Sequence, residues 1–471
     1  MMPKRPASGL DSGNLPTEGL FARIRDYSRH HVRYEVIALI FVVMTINQAD
    51  RATMSIAGTP MAGDLGLSHY QMGWLFSSFA WAYMVFQIAG GWAIDRFGAK
   101  RTYTVAIFAW SIFTILIGIA PAFGVHTATY LIFALIFGVG IAAAPCFPAN
   151  SKIVAAWFPT QERGTASAIF NSTQYFAAAV FTPFLAFIAV TFGWRNIYYF
   201  MGVIGLIAGV VFFWRLTSPA TSTRLGKAER ELIMQGGATL AMDRTSGTTA
   251  VGSSASASSI SVVKGDRLRK FKGLLSNRML LGIYFSQYCI STLTFFFLTW
   301  FPVYLVQQRH IPLLHAGLMA SVPAIFGFIG GLLGGYISDM LLRKGNTLTM
   351  SRKWPIYIGM VLSSSIILCN YVGSDWLVLV FMALAFFGKG MGALGWAIVA
   401  DTSPANAAGL NASIFNTFGS LAGITTPIVI GFIVQRMHSF NGALIFVGAH
   451  AMLAVLSYAL VVGKIQRVPN L

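Results

Sequence analysis

A chain of 471 residues that is 56% hydrophobic and 10% charged falls far below the roughly 25% charged residues of an average soluble domain; this excludes a soluble globular protein and indicates a polytopic membrane protein. The formal charge of +18 from 33 Lys and Arg would suit nucleic acid in a soluble chain, but its placement between apolar spans assigns it to topology, and no nucleic-acid partner is expected. Cys146, Cys289 and Cys369 all lie in apolar runs, so neither a disulfide framework nor a metal cluster is indicated, and no metal or other cofactor is expected.

Residues 1–33 form a polar, basic tail without the charged start, short apolar core and small-residue cleavage site of a signal peptide. Apolar spans are predicted at 36–57, 70–94, 103–120, 126–149, 165–190 and 195–214, and again at 279–301, 316–341, 355–372, 376–400, 408–434 and 441–463. Twelve crossings put both termini on one side. The loops on that side hold 28 of the 33 Lys and Arg, the opposite loops hold Arg195, Arg309 and Arg436, and two lie within spans. Positive loops stay cytoplasmic, so both termini are expected inside. The expected division is a tail 1–33, a bundle 34–215, a linker 216–278, a bundle 279–463 and a tail 464–471.

The first span contains Asp50 and Arg51. Continued as one helix at about 1.5 Å per residue, it carries the pair past the middle of the crossing, where charge is expensive and marks a pathway for a solute or proton. Neighbours on a helix point about 100° apart, so each needs its own partner or a wet cavity. In the linker, Leu225 to Gln235 is predicted as a surface amphipathic helix, and Thr245 to Val263, rich in Ser, Thr, Ala and Gly, is predicted to be disordered. The basic run Lys264 to Lys272 is expected at the membrane surface.

The chain repeats itself across that linker. Asp95 and Asp339, and Thr182-Pro183 and Thr426-Pro427, are 244 apart; Phe170-Asn171 and Phe415-Asn416, and Gly164 and Gly409, are 245 apart. Two six-helix pseudo-repeat bundles in an all-α fold follow, a plan that places a substrate site at their interface. The second span ends Gly90-Gly91-Trp-Ala-Ile-Asp95-Arg96-Phe-Gly98-Ala-Lys100-Arg101, and the eighth ends Gly334-Gly335-Tyr-Ile-Ser-Asp339. The glycines permit close helix contact. Gly91, Asp95, Arg96, Gly98, Lys100 and Asp339 are therefore candidates for a conformational latch built on charge pairs.

The loop after span two resembles the signature of the major facilitator superfamily. Segments such as SIAGTPMAGDLGLS, NSKIVAAWFPTQERGTASAIFNSTQYFA and FFGKGMGALGWAIVADTSP resemble the bacterial sugar-acid carriers of the anion:cation symporter family, with the glucarate/galactarate permeases nearest in pattern. The resemblance implies proton-driven import of an aldarate such as D-glucarate or galactarate across the inner membrane by alternating access, with the proton as the only coupling ion. It implies substrate contact at Arg51, Tyr83, Gln174, Trp396 and Asn416, and proton coupling at Asp50.

A dianionic polyol needs cationic anchors and many hydroxyl and amide partners, and helical spacing supplies candidates. Asn47 and Arg51 are four apart in span one, Tyr83 and Gln87 four apart in span two, Asn171 and Gln174 three apart in span five. Lys389 and Trp396 are seven apart in span ten, and span eleven carries Asn411 and Asn416. Asn171 and Asn411 serve equally well as helix cross-links, and His450 is expected to be a satisfied core histidine. Two departures from the family pattern stand out: Ile136 and Ala143 occupy places where these carriers have an arginine and a glutamate. An uncoupled or exchange carrier for a less charged aldonate, or a non-transporting sensor with the same fold, is therefore the alternative. No HExxH, GxSxG or P-loop spacing is present, so an enzyme is not expected; a small organic anion, the lipid bilayer and a monomer are.

Overall fold

A computed structural model describes residues 32–159, 162–235, 238, 269–404 and 407–470. Residues 1–31 of the N-terminal tail, the serine-rich part of the linker with its expected disorder, and most of the expected basic surface run lie outside the described residues. The helices are α1 (Val32–Leu65), α2 (His69–Phe97), α3 (Ala99–Ile119), α4 (Val125–Ala143, continued by Cys146–Trp157), α5 (Arg163–Phe192) and α6 (Trp194–Arg215). A linker helix, Lys227–Gln235, precedes α7 (Arg278–Phe295, continued through a π-helical turn by Phe301–Gln307). Then come α8 (Leu313–Arg343), α9 (Leu348–Ser363, ending in a 3₁₀ stretch to Asn370), α10 (Asp375–Met391, continued by Gly395–Thr402), α11 (Ala408–Met437) and α12 (Asn441–Leu456). Ten of these rods are long and apolar enough to cross a membrane; α2 and α9 fall short on length or apolarity.

Local sequence sets the ends. Ser68 caps α2 in a reciprocal capping box with Gln71. Gly98 and Gly193 take φ near +88° and let one helix follow another across a single residue. α4 breaks at Ala144-Pro145, where proline has no N–H to give and crowds the preceding turn. α10 breaks at the corresponding place, between Met391 and Gly395.

The pairing of helices repeats. α1 packs on α5, α2 on α4 and α3 on α6; correspondingly α7 packs on α11, α8 on α10 and α9 on α12. The repeated glycines explain the closeness of one such pair: a Cβ on Gly90 would come within 3.0 Å of Pro145, and one on Gly334 within 3.0 Å of Met391. Their neighbours Gly91 and Gly335 face open space, so Gly91 makes no close helix contact.

The two halves meet through α2 against α11 and α5 against α8. Call the end with the α2–α3, α4–α5, α8–α9 and α10–α11 loops the basic end. At the far end the halves are tightly sealed. A Cβ on Gly73 would fall within 3.0 Å of the Pro427 backbone, and one on Gly431 within 3.0 Å of the His69 backbone. The His69 ring bonds Gln307 at 2.9 Å and its backbone N–H donates to Gln435 at 3.1 Å. Phe76 meets Trp300 edge-on at 5.2 Å. A chamber between the halves thus closes toward the far end, and its lining runs past Gln87 and Asn416 to the exposed Ser151 and Ser413 near the basic end.

Candidate functional site

The chamber encloses about 740 Å³, within the range of sites that swallow a small ligand whole. Its polar lining is amide and hydroxyl: Gln48, Gln87, Asn171, Gln174, Gln287 and Asn416 supply amides, and Tyr83 and Tyr175 are among the hydroxyls. Arg51 is the one charged side chain among the described lining residues. Such a wall suits an anionic polyol: one strong anchor for negative charge, and many donors and acceptors for hydroxyl groups.

α1 runs unbroken through the charged pair to Leu65, and the two side chains part as their 100° separation requires. The Arg51 guanidinium lies 4.3 Å from the Phe79 ring centroid and 5.3 Å from that of Tyr83, both on α2. Its Nε and Nη2 are buried and meet no protein acceptor. Asp50 turns to α3, where its Oδ2 accepts a 2.7 Å bond from the Thr114 hydroxyl; Oδ1 is buried without a protein donor. Asp50 and Arg51 share a side pocket of about 60 Å³, bordered also by Thr114, Ile136, Tyr198 and Thr299. A space of that size is large enough to hold water.

Of the residues singled out from the sequence, Arg51, Tyr83, Gln87, Asn171, Gln174, Trp396 and Asn416 all line the chamber. Gln87 and Asn416 join the two halves, the Asn416 amide donating to Gln87 at 3.0 Å. Two others do not line it. Asn47 is 1% exposed, and neither of its amide atoms has a protein partner; it is enclosed in the N-terminal half instead of sharing the polar face with Arg51. Lys389 is 5% exposed and sits behind Tyr175 and Phe386. Its expected alignment with Trp396 assumes one continuous helix, and the break after Met391 removes that register. Asn411 is a cross-link: it accepts from Tyr284 on α7 and donates to Ser403 at 2.7 Å. His450 bonds the Phe446 carbonyl at 2.8 Å and packs on the rings of Phe446 and Tyr288. Of the latch candidates, the two aspartates form charge pairs with other helices and the basic residues lie over aromatic rings. Asp95 meets Lys152 on α4 at 3.1 Å, whereas Arg96 lies over Trp92 and Phe97, and Lys100 over Phe213. Asp339 shares Arg352 of α9 with Asp401 of α10, at 3.4 and 2.8 Å. In both halves the aspartate ties helices of its own bundle together.

Sequence reasoning missed Thr114, the partner of Asp50, and Tyr175, the cover of Lys389. The only signal for Thr114 is a hydroxyl in the apolar run Trp110-Ser-Ile-Phe-Thr114-Ile-Leu-Ile.

A family model described as Major Facilitator Superfamily matches residues 40–351. The chain belongs to the major facilitator superfamily. It is 51% identical over 93% of both chains to a protein of Bacillus subtilis (strain 168) named "Probable galactarate/D-glucarate transporter GudP". It is 49% identical over 93% of its length and 95% of the relative's to the protein of that name in Escherichia coli (strain K12). A "D-galactonate transporter" of Escherichia coli O6:H1 is 36% identical, over 93% and 97% of the two chains. Among solved structures, a bacterial homolog of the human lysosomal transporter Spinster, inward-facing and occupied, superposes with a TM-score of 0.70 at 14% identity, covering 91% of this chain and 96% of that one. The D-xylose-proton symporter gives 0.65 at 15% identity over 92% and 98%. At such identity these structures speak for the fold alone. The protein is thus a multi-pass membrane transporter of the superfamily and not an enzyme.

Proposed function

We propose that the protein imports a sugar-acid anion, an aldarate such as D-glucarate or galactarate, across the inner membrane together with protons, by alternating access. In this reading twelve helices cross the bilayer as a monomer with both termini in the cytoplasm, in two bundles at 34–215 and 279–463 joined by the linker 216–278. The basic end then faces the cytoplasm, and the state described here is open inward.

The observation that carries the proposal is the meeting of Arg51 with the chamber. A lone cation with two buried, partnerless N–H groups, in a wall of amides and hydroxyls, is a built receptor for a carboxylate on a polyol. The relatives near 50% identity bear names of galactarate/D-glucarate transporters, which supports an aldarate within that class. Asp50, next in sequence and facing the side pocket, is the acid that takes the proton: a carboxylate engaging Arg51 alters the charge beside Asp50, so the two loads are linked. Tyr83, Gln87, Gln174, Trp396 and Asn416 make up the rest of the binding surface. Asp95 with Lys152, and Asp339 with Arg352, brace helices within each bundle as it rocks, and the glycine turn at Gly98 joins α2 to α3.

One observation favours a second reading. Ile136 borders the Asp50 pocket and Ala143 is buried at the α4 break, so α4 brings neither cation nor acid to the pocket or the chamber; a carrier so built suits a monoacid moved without protons. Uptake into proteoliposomes decides between them. Symport requires radiolabelled galactarate to accumulate only with an inward proton gradient, and Asp50→Asn to abolish accumulation while leaving counterflow. Equal accumulation with and without the gradient dismisses proton coupling.

A further inference from the structure

The wall of the chamber hides a second cation. Lys389 on α10 lies with its Nζ 3.4 Å from the Tyr175 hydroxyl on α5, and 5.3 and 5.1 Å from the ring centroids of Tyr175 and Phe386. Both rings line the chamber, whereas the lysine itself does not. Among the described residues no carboxylate pairs with it. An ammonium has three donors, and a neutral hydroxyl with two ring faces is a thin substitute for water or a counter-ion. The cover is fitted: a Cβ on Gly327 of α8 would come within 3.0 Å of Phe386 and 3.2 Å from Tyr175, so the two rings rest on bare backbone. It also spans the halves, because Tyr175 belongs to one and Lys389 to the other. Any rocking of the bundles moves the tyrosine off the lysine or presses it closer.

We propose that Lys389 is a second carboxylate anchor, covered by Tyr175 in the present state and uncovered as the bundles move, so that a sugar diacid is gripped between Arg51 of one half and Lys389 of the other. The proposal rests on the sugar-acid reading of the chamber and deepens it. A monoacid engages Arg51 and leaves the ammonium under its cover. A diacid bridges the halves, and the energy of its second carboxylate is gained only by movement. Preference for diacids thus comes from a residue outside the resting chamber. This supplies, from α10, the second positive charge that the apolar face of α4 does not offer.

The test is the ratio of uptake efficiencies for galactarate and galactonate, which differ in one terminal carboxylate, in proteoliposomes of the full chain. Lys389→Met is expected to lower the galactarate-to-galactonate ratio of kcat/KM at least tenfold, mainly through the KM for galactarate, and Lys389→Arg to restore most of it. A merely structural lysine would depress both acids together; an unchanged ratio in a folded Lys389→Met protein overturns the proposal. Should that variant not fold, Tyr175→Phe serves. Loss of the hydroxyl frees the ammonium, so the KM for galactarate falls relative to galactonate, and an unaltered or reversed ratio refutes the cover. Wild-type protein that moves neither acid, while purifying as a folded monodisperse carrier, sinks the sugar-acid reading and this proposal with it; wild type that moves both with no change of ratio in the variants sinks this proposal alone.

Discussion

Arg51 offers the sharpest test of how the chamber holds an anion. Its guanidinium lies over the rings of Phe79 and Tyr83, and its Nε and Nη2 have no protein acceptor. Two N–H groups on one edge of a planar guanidinium match the two oxygens of a carboxylate. A hydrogen bond to a charged group contributes about 1.5–3 kcal/mol, so the pair together contributes about 3–6 kcal/mol. At about 1.4 kcal/mol per decade, Arg51→Met should weaken binding roughly 10²- to 10⁴-fold. Arg51→Lys keeps the charge but offers no planar fork; losing one of the two bonds predicts roughly a 10- to 100-fold loss. Binding is read by thermal stabilisation or isothermal titration of detergent-purified protein with galactarate, which separates affinity from turnover. Arg51→Lys binding as tightly as wild type would refute the bidentate argument, and Arg51→Met within threefold of wild type would remove Arg51 from the site.

The remaining expectations concern packing and gating. Gly90→Ala and Gly334→Ala each force a Cβ against backbone of the facing helix and should cost about 1–3 kcal/mol by overpacking, read as a lowered Tm. Gly91→Ala and Gly335→Ala point into open space and should be neutral or stabilise by up to about 1 kcal/mol; the reverse order would contradict the helix contacts. Glu229 of the linker helix accepts both the Val32 and Arg33 backbone N–H groups at 3.2 Å, capping α1 from a distance in sequence of nearly 200 residues. Glu229→Ala should cost about 0.5–2 kcal/mol as a lost cap, and an unchanged Tm would show the linker to be undocked. Gln307→Ala combined with Gln435→Ala removes both side-chain acceptors of His69 at the far end. Labelling of a cysteine placed at Ser291 by an impermeant maleimide from that end should rise severalfold, and unchanged labelling would mean that apolar packing alone keeps the end shut.

Much of this was legible without coordinates, for physical reasons. Lipid forces backbone hydrogen bonds inward, so apolar length exposes helices, and duplication leaves offsets of 244 and 245 that survive in residues both copies need. Asp50 and Arg51 were visible because charge in an apolar span must be compensated. What was not legible depends on how helices turn about their own axes. Tyr83 and Gln87, four apart on an unbroken α2, both reach the chamber. Lys389 and Trp396, seven apart, do not share a fate, because the glycines after Lys389 break α10 between them. Asn47 shows the same limit: a narrow difference in angle from Arg51 separates a chamber wall from a core. The partners of the loop aspartates were hidden for another reason. Asp95 finds Lys152, 57 residues away, and nothing in the motif itself names a partner on another helix.

The placement of the charges constrains how coupling can work. Asp50 and Arg51 are consecutive, yet one is tied to α3 through Thr114 and the other is stacked on α2. They form no ion pair among the described residues, so neither neutralises the other by direct contact, and each remains available to an outside partner. The substrate side of the pair opens to the chamber and the acid side to the small pocket beside Ile136. In the proposed reading, a solute carboxylate held by Arg51 does not need to touch Asp50 to affect it, because charges act on one another across several ångströms where water is excluded. An arginine at position 136 would stand in the pocket of Asp50 and compete with that influence. Its absence leaves the carboxylate with Thr114 as its partner and Arg51 as its neighbour in the pocket, so under the proposed symport Asp50 alone has to link solute and proton.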